Sequence, residues 1–197
     1  MTDRKRLFVG VTVSFSDKTA DFYQSIKDHL NESSLRFVGI DNIHITLKFL
    51  GDVEISRIPS IETKLNILAK KHNEFNALLK GVGIFKNFYH PKVLWFGLRD
   101  CPEFDVLKND IENSLGDLGF DIDYRKFTPH LTVGRFKEKV DVEQLKKFIS
   151  RNQEIFLQPV PVSEISLFES ILKNEGPEYN ILQNVRLGDT EFNEYRF

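Results

Sequence analysis

The chain carries one short pattern twice, and the two copies constrain its fold more than any other feature. His44 and Thr46 form the first copy and His130 and Thr132 the second, each within an apolar, β-prone run. Side chains alternate between the faces of a strand, so the histidine and threonine of each copy are predicted to share one face. A chain with five histidines is expected to contain about 0.2 such pairs by chance. A single copy would indicate a buried core histidine, whereas two copies indicate a common site.

The pattern around the two copies predicts an internal duplication. Apolar runs at 7–14 and 93–98 predict a strand before each copy, and amphipathic repeats at 22–30 and 104–115 predict a helix after each of those strands. Another amphipathic helix is predicted after each copy. The expected fold is α+β, with two lobes related by approximate two-fold symmetry around a cleft. With no long linker present, residues 1–197 are predicted to form a single bilobal domain.

The paired residues suit acid–base chemistry on a phosphate ester. Histidine has an ordinary pKa near neutrality, so one imidazole can accept a proton while the other donates one. Threonine hydroxyls can donate hydrogen bonds to phosphate oxygens. Arg135 can add a charge-assisted contact, provided that Gly134 permits a bulge, because a regular strand would turn position 135 to the other face. The alternative for Arg135 is a plain surface arginine. The equivalent position in the first copy is Phe49.

Composition narrows the classes of protein that fit. The net charge of −2 gives no whole-molecule attraction to nucleic acid, so any RNA must be held locally. The single Cys101 excludes an internal disulfide, and no signal peptide or membrane span is evident, so a cytoplasmic protein is expected. The histidines have no metal-ligand spacing, and no glycine-rich nucleotide motif is present. Neither a metal nor another cofactor is therefore predicted.

Longer stretches around the two copies resemble a known family. Residues 44–51 (His-Ile-Thr-Leu-Lys-Phe-Leu-Gly) and 127–135 (Phe-Thr-Pro-His-Leu-Thr-Val-Gly-Arg) are similar to the two motifs of the two-histidine (2H) phosphoesterases. Within that superfamily they look most like the LigT-like RNA 2′,3′-cyclic phosphodiesterases. Residues 6–11, 91–97 and 170–179 extend the resemblance over nearly the whole chain.

The resemblance implies a fold, a reaction and roles for residues. The fold would have two lobes with mostly antiparallel sheets around a central cleft. The reaction would be metal-independent hydrolysis of an RNA 2′,3′-cyclic phosphate to a 2′-phosphate. His130 would be the general base and His44 the proton donor. Thr46, Thr132 and Arg135 would bind the phosphate and stabilise its developing charge.

Aromatic residues near the two copies are candidates for contact with a nucleotide base. Phe8, Phe49 and Trp95 can stack on a base, and Tyr179 can make a polar contact. Core packing is the alternative for Phe8, Phe49 and Trp95. The expected partner is an RNA end or small nucleotide with a 2′,3′-cyclic phosphate, and the protein is expected to be a monomer.

Two other functions remain open from the sequence. The same site could ligate RNA through a 2′,5′ linkage or cleave 2′,5′-linked oligonucleotides. The chain could instead bind RNA ends or nucleotides without turnover. The presence of both histidines disfavours a pure binding module, because binding alone requires no acid–base pair.

Overall fold

In the computed structural model, residues 3–30, 35–137, 140–173 and 176–188 are described, and they contain nine β-strands, four α-helices and two short 3-10 helices. The described strands are β1 (Arg4–Thr12), β2 (Leu35–Phe37), β3 (His44–Glu54), β4 (Phe75–Phe85), β5 (Val93–Arg99), β6 (His130–Phe136), β7 (Phe156–Val162), β8 (Glu164–Lys173) and β9 (Gly176–Arg186). The described helices are α1 (Asp17–His29), α2 (Ile58–Ala69), α3 (Glu103–Gly116) and α4 (Val142–Asn152).

The strands join in one antiparallel sheet with two similar halves. Its order is β7-β4-β5-β6-β3-β1-β8-β9, and β2 pairs with β6. The halves meet where β3 and β6 form a bridge between Ile45 and Leu131. The predicted α+β class with antiparallel pairing is confirmed. The two halves form one continuous, curled sheet. The cleft lies over the line along which β3 and β6 meet.

The helices cover the sheet as the sequence periodicities predict. α1 begins after Ser16, whose side-chain oxygen accepts a hydrogen bond from the amide of Thr19, and α4 is capped in the same way by Asp141. α2 packs against α3 and the β8–β9 pair, and α3 packs against β3. Ile45 and Leu131, both fully buried, belong to the core that these elements enclose. The opposite side of β3 and β6 is therefore left for the cleft.

Two strands fall in segments for which the sequence pattern is weak. β7 contains Pro159 and Pro161, which cannot donate hydrogen bonds to a sheet and so argue against a central strand. It forms one edge of the sheet, where proline is tolerated. β9 forms the other edge of the sheet, and its residues show little alternation between buried and exposed positions. Among the described residues, no helix is long and apolar enough to cross a membrane.

Candidate active site

The two His-x-Thr copies lie side by side at the centre of the sheet. The Ile45–Leu131 bridge is antiparallel, so this register sets His44 opposite Thr132 and Thr46 opposite His130. The two bridge residues are buried, whereas all four histidine and threonine side chains are partly exposed and line one cleft. The fold therefore brings the two histidines and two threonines to one site.

A β-bulge follows the threonine in each copy. Between β1 and β3 the register skips Leu47, and between β5 and β6 it skips Val133. The unpaired residue reverses the alternation of faces, so Phe49 and Arg135 turn to the same side as the histidines. Both side chains line the cleft. The burial sequence of the seven residues starting at each histidine is identical. A bulge next to Gly134 is thus present, and it brings Arg135 to the same face of the sheet as the histidines.

The two imidazoles are held in the same way. His44 Nδ1 lies 2.7 Å from the carbonyl oxygen of Asn42, and His130 Nδ1 lies 2.7 Å from that of Thr128. A carbonyl oxygen only accepts hydrogen bonds, so Nδ1 carries the proton in both rings. Each Nε2 is left to exchange a proton: it accepts when the ring is neutral and donates when the ring is charged.

Burial and nearby positive charge lower the pKa of both histidines. Desolvation is the largest effect and lowers the pKa of His44 and His130 from the ordinary value of 6.5. The hydrogen bonds to the backbone carbonyls oppose this effect, while the charge of Arg135 lowers both pKa values further. His130 adds to the lowering at His44. Both rings are therefore mainly neutral at pH 7 in the free protein, and an anion in the cleft favours protonation.

Aromatic rings fix the position of each imidazole. His44 packs on Phe8 and meets Tyr179 edge-on, with a ring-centroid distance of 4.8 Å in each case. His130 meets Phe85 edge-on at 4.7 Å. Phe85 was not predicted, because nothing in its local sequence marks it as part of a site. These contacts limit rotation of both rings and so preserve the direction of Nε2.

The four aromatic candidates for base contact separate into two groups. Phe49 is 70% exposed and lines the cleft, and Tyr179 also lines it. Phe8 is 2% exposed and stacks on Phe168 behind His44, so its predicted contact with substrate is wrong. Trp95 is absent from the cleft lining, and its ring lies against Gly83 on β4. The burial of Phe8 supports its core-packing alternative, whereas Trp95 is only partly buried and lies outside the hydrophobic core, so its contact with a base stays a prediction.

The cleft is large and carries excess positive charge. Its volume is about 1050 Å³, which is ample for a nucleotide. Its basic lining residues are Arg36, Lys48, Lys108, Arg125, Lys126, Arg135 and Lys173, and its acidic ones are Glu112, Asp121, Asp123 and Glu178. Seven basic against four acidic side chains leave an excess of three positive charges, although the chain as a whole carries −2. The cleft therefore attracts anions that the rest of the surface does not.

A buried charged cluster forms one wall of the cleft. Glu112 is 3% exposed and accepts hydrogen bonds from the ammonium groups of Lys48 and Lys108. Lys48 also donates to the carbonyl oxygen of Asp121 at 2.6 Å, and Lys108 donates to that of Asp123 at 3.1 Å. The cluster thereby ties α3 and β3 to the loop that leads to His130. In the sequence, this buried cluster is indicated by Lys48, a lysine within the otherwise apolar run of β3.

Among the described residues, the side chains that could serve as metal ligands do not lie close together. Within residues 3–30, 35–137, 140–173 and 176–188, no three histidine, cysteine, aspartate or glutamate side chains are grouped so that they could hold a metal ion. Cys101 is buried and free. The site's reactive groups among the described residues are therefore the imidazoles, hydroxyls and the guanidinium of Arg135.

Comparison with known proteins agrees with this geometry. Residues 15–173 match the model of the 2′-5′ RNA ligase superfamily, and the chain belongs to that family. It is 34% identical over 184 residues to an RNA 2′,3′-cyclic phosphodiesterase of Archaeoglobus fulgidus, covering 90% of this chain and 98% of the relative. It is 30% identical over 179 residues to the protein of the same name from Methanothermobacter thermautotrophicus, covering 90% and 97%.

Solved structures share the fold. A crystal structure of a Thermus thermophilus protein has a TM-score of 0.76 at 23% identity and covers 93% of this chain and 98% of its own. Escherichia coli LigT complexed with 3′-AMP has a TM-score of 0.72 at 23% identity, covering 94% and 99%. These matches confirm the two-histidine phosphoesterase fold expected from the sequence.

Proposed function

We propose that this protein hydrolyses RNA ends that carry a 2′,3′-cyclic phosphate, leaving a 2′-phosphate. The observation that supports this most directly is the pair of imidazoles whose Nδ1 atoms are both engaged by backbone carbonyls. Their Nε2 atoms remain to transfer protons at one anion-attracting cleft. The relatives named RNA 2′,3′-cyclic phosphodiesterases match over most of the chain.

The reaction needs one base and one acid. His130 Nε2 removes a proton from a water molecule, and the water oxygen forms a bond to phosphorus. The bond between phosphorus and O3′ breaks, and His44 Nε2 donates its proton to O3′. The products are a 2′-phosphomonoester and a free 3′-hydroxyl, and each proton transfer contributes about 10²–10⁴-fold to the rate. The assignment of base and acid follows the family resemblance.

The remaining groups stabilise the transition state. Each of Thr46 and Thr132 lies directly opposite one of the histidines in the register, where its hydroxyl can donate to a non-bridging phosphate oxygen. Arg135 reaches the same side through the bulge in β6 and opposes the charge that develops on those oxygens. No metal or other cofactor is assigned a role in this mechanism.

The nucleoside binds beside the phosphate. Phe49 offers an exposed ring on the cleft for stacking on a base, and Tyr179 offers a hydroxyl. One chain supplies both histidines, so a monomer, acting as a single bilobal domain, suffices for activity. We also infer a cytoplasmic location, in keeping with the single, unpaired Cys101.

The direct test is incubation of the purified protein with a nucleoside 2′,3′-cyclic phosphate in the presence of EDTA. The expected result is hydrolysis, with the nucleoside 2′-phosphate as the main product. A 3′-phosphate product or no hydrolysis would contradict the proposal. Parallel assays on tRNA halves and on 2′,5′-oligoadenylate separate the hydrolase from a ligase or a 2′,5′-phosphodiesterase.

A further inference from the structure

Two arginines stand directly opposite each other at the edge of the cleft. β2 pairs with β6 so that Arg36 faces Arg135 across the two strands. Directly opposed residues of an antiparallel pair project to the same face, with Cβ atoms about 4.5–5.5 Å apart. Both side chains are exposed and both line the cleft. The β6 bulge that turns Arg135 toward the histidines therefore places it beside a second guanidinium.

Four other cations of the cleft already have a carboxylate partner. Lys48 and Lys108 bind Glu112. Arg125 binds the carboxylate of Asp123 at 2.6 Å, and Lys173 binds Glu178. These four cations share three carboxylates, so only one net positive charge remains among them, and it belongs to the buried Lys48–Glu112–Lys108 cluster.

The remaining cations of the lining are Arg36, Arg135 and Lys126, none of which has a carboxylate partner among the described residues. Of these, Arg36 and Arg135 are paired across neighbouring strands. Neither forms an ion pair or side-chain hydrogen bond among the described parts of the chain. Like charges placed opposite each other on neighbouring strands repel, so the pair is unfavourable without an anion. Guanidinium groups bind phosphate oxygens through two parallel hydrogen bonds.

We propose that Arg36 forms a second phosphate subsite, which binds the phosphodiester that links the terminal nucleotide to the rest of the RNA. The inference rests on the proposed function, in which Arg135 and the two threonines hold the cyclic phosphate. The next phosphate along the RNA is the 5′-phosphate of the same nucleotide. Arg36 is the unpaired cation directly beside Arg135, and Phe37, Val38 and Gly39 continue the cleft wall beyond it. The subsite distinguishes an RNA end from a cyclic mononucleotide.

The test compares two substrates with the wild-type protein and the Arg36→Gln variant. One substrate is a nucleoside 2′,3′-cyclic phosphate without a 5′-phosphate, and the other is a dinucleotide that ends in a 2′,3′-cyclic phosphate. Loss of one charge-assisted phosphate contact is expected to lower kcat/KM for the dinucleotide about tenfold, mainly through KM. The cyclic nucleoside has no second phosphate, so its kcat/KM is expected to change less than about twofold.

A neutral linkage checks that the lost contact is to the phosphate. A dinucleotide with a methylphosphonate between its nucleosides is expected to be a poorer substrate for the wild-type protein. For this analogue, Arg36→Gln is expected to have little further effect. Arg151→Gln is the matched control, because Arg151 is an exposed arginine at the end of α4, outside the cleft lining and without an ion pair in the described structure.

The outcomes separate this inference from the proposed function. An equal loss on both substrates would place Arg36 at the reacting phosphate and overturn the second subsite. No change on the dinucleotide would overturn it as well. Absence of turnover of either substrate by the wild-type protein would instead overturn the proposed function, and the subsite with it.

Discussion

His44 and His130 are oriented by the same kind of hydrogen bond. In each ring, Nδ1 lies 2.7 Å from the carbonyl oxygen of the residue two positions earlier in the chain. The hydrogen bond is local to each strand, so each half of the sheet holds its own imidazole. The halves are then joined at the Ile45–Leu131 bridge. Catalytic geometry therefore depends on how the two strands meet, as well as on the two side chains.

Removal of either imidazole is expected to lower turnover severely without unfolding the protein. His44→Ala and His130→Ala each delete one proton-transfer group, with an expected loss of about 10²–10⁴-fold in kcat. His29→Ala is the control, because His29 is exposed at the end of α1 and outside the cleft lining. Steady-state hydrolysis of a nucleoside 2′,3′-cyclic phosphate measures the effect, and circular dichroism checks the fold. Full activity in either cleft variant would contradict the two-histidine mechanism.

The pH dependence of kcat/KM is expected to be bell-shaped, with its maximum below pH 6.5. Catalysis needs one neutral and one protonated imidazole, and the pKa values of both are lowered, mainly by burial. The active form therefore predominates on the acidic side of 6.5 and is lost as the second ring deprotonates at higher pH. A maximum at alkaline pH would show that another group is the acid.

Arg135→Gln is expected to lower kcat/KM and also to move the pH optimum upward. The guanidinium lowers the pKa of both histidines, so its removal raises both values and shifts both limbs of the profile to higher pH. The loss of transition-state stabilisation is expected to be about 10²–10³-fold. Rate profiles of the variant and the wild-type protein over the same pH range provide the measurement. A lower rate with an unchanged optimum would indicate that Arg135 acts without influencing the imidazoles.

Glu112→Gln is expected to destabilise the protein strongly. Glu112 lies between the buried ammonium groups of Lys48 and Lys108, and its replacement leaves two buried positive charges without a carboxylate partner. The expected decrease in the free energy of unfolding is about 3–5 kcal/mol, measured by denaturant unfolding. Glu143→Gln is the control, since Glu143 pairs with Lys146 at the surface and should contribute little.

The same cluster makes a separate prediction about pH. Burial acts to raise the pKa of Glu112, but hydrogen bonds from Lys48, the Asp123 amide and Lys108 outweigh it and hold the pKa below the ordinary 4.5. Stability from this carboxylate is therefore present above pH 4.5 and is lost as pH falls through the lowered pKa. The Glu112→Gln variant should lack this part of the acid dependence.

Gly83→Ala is expected to destabilise the sheet beside the site. A Cβ at position 83 would lie 2.2 Å from Cζ2 of Trp95, which is directly paired with it across β4 and β5. The expected loss is about 1–3 kcal/mol, because the indole ring must leave its packed position. Thermal unfolding measures it, and Gly39→Ala is the control, since the nearest atom to a Cβ there is 3.8 Å away. Equal stability of the two variants would contradict this role of Gly83.

The two central strands, β3 and β6, can be predicted from the sequence because the alternation that marks them lies within each strand. Period-two alternation around His44 and His130 predicts which side chains share a face, and the duplication predicts that the two copies meet. Arg135 required more than alternation, since its position depends on the register slip at Val133, which is set by pairing with β5. The sequence suggested a bulge near that point, but only the sheet fixes which residue is unpaired.

Other parts of the site had no sequence signal. The partners of the two imidazoles are main-chain carbonyls, which every residue possesses, so Asn42 and Thr128 are not marked by residue type. Arg36 becomes part of the cleft only through the pairing of β2 with β6. Phe8 was misassigned because an apolar ring on a strand has the same pattern whether it contacts a ligand or supports the histidine from behind.

The repeated bulge has a consequence for the direction in which a substrate can enter. The two strands have identical burial sequences and form a nearly symmetric pair. A perfectly symmetric pair would accept a ligand in two poses related by the two-fold rotation, with the histidines interchanged. Phe49 and Arg135 occupy the equivalent positions after the two bulges and are chemically unlike. This difference makes the two poses unequal in energy, so we expect one pose to be favoured and each imidazole to meet the same oxygen in every turnover.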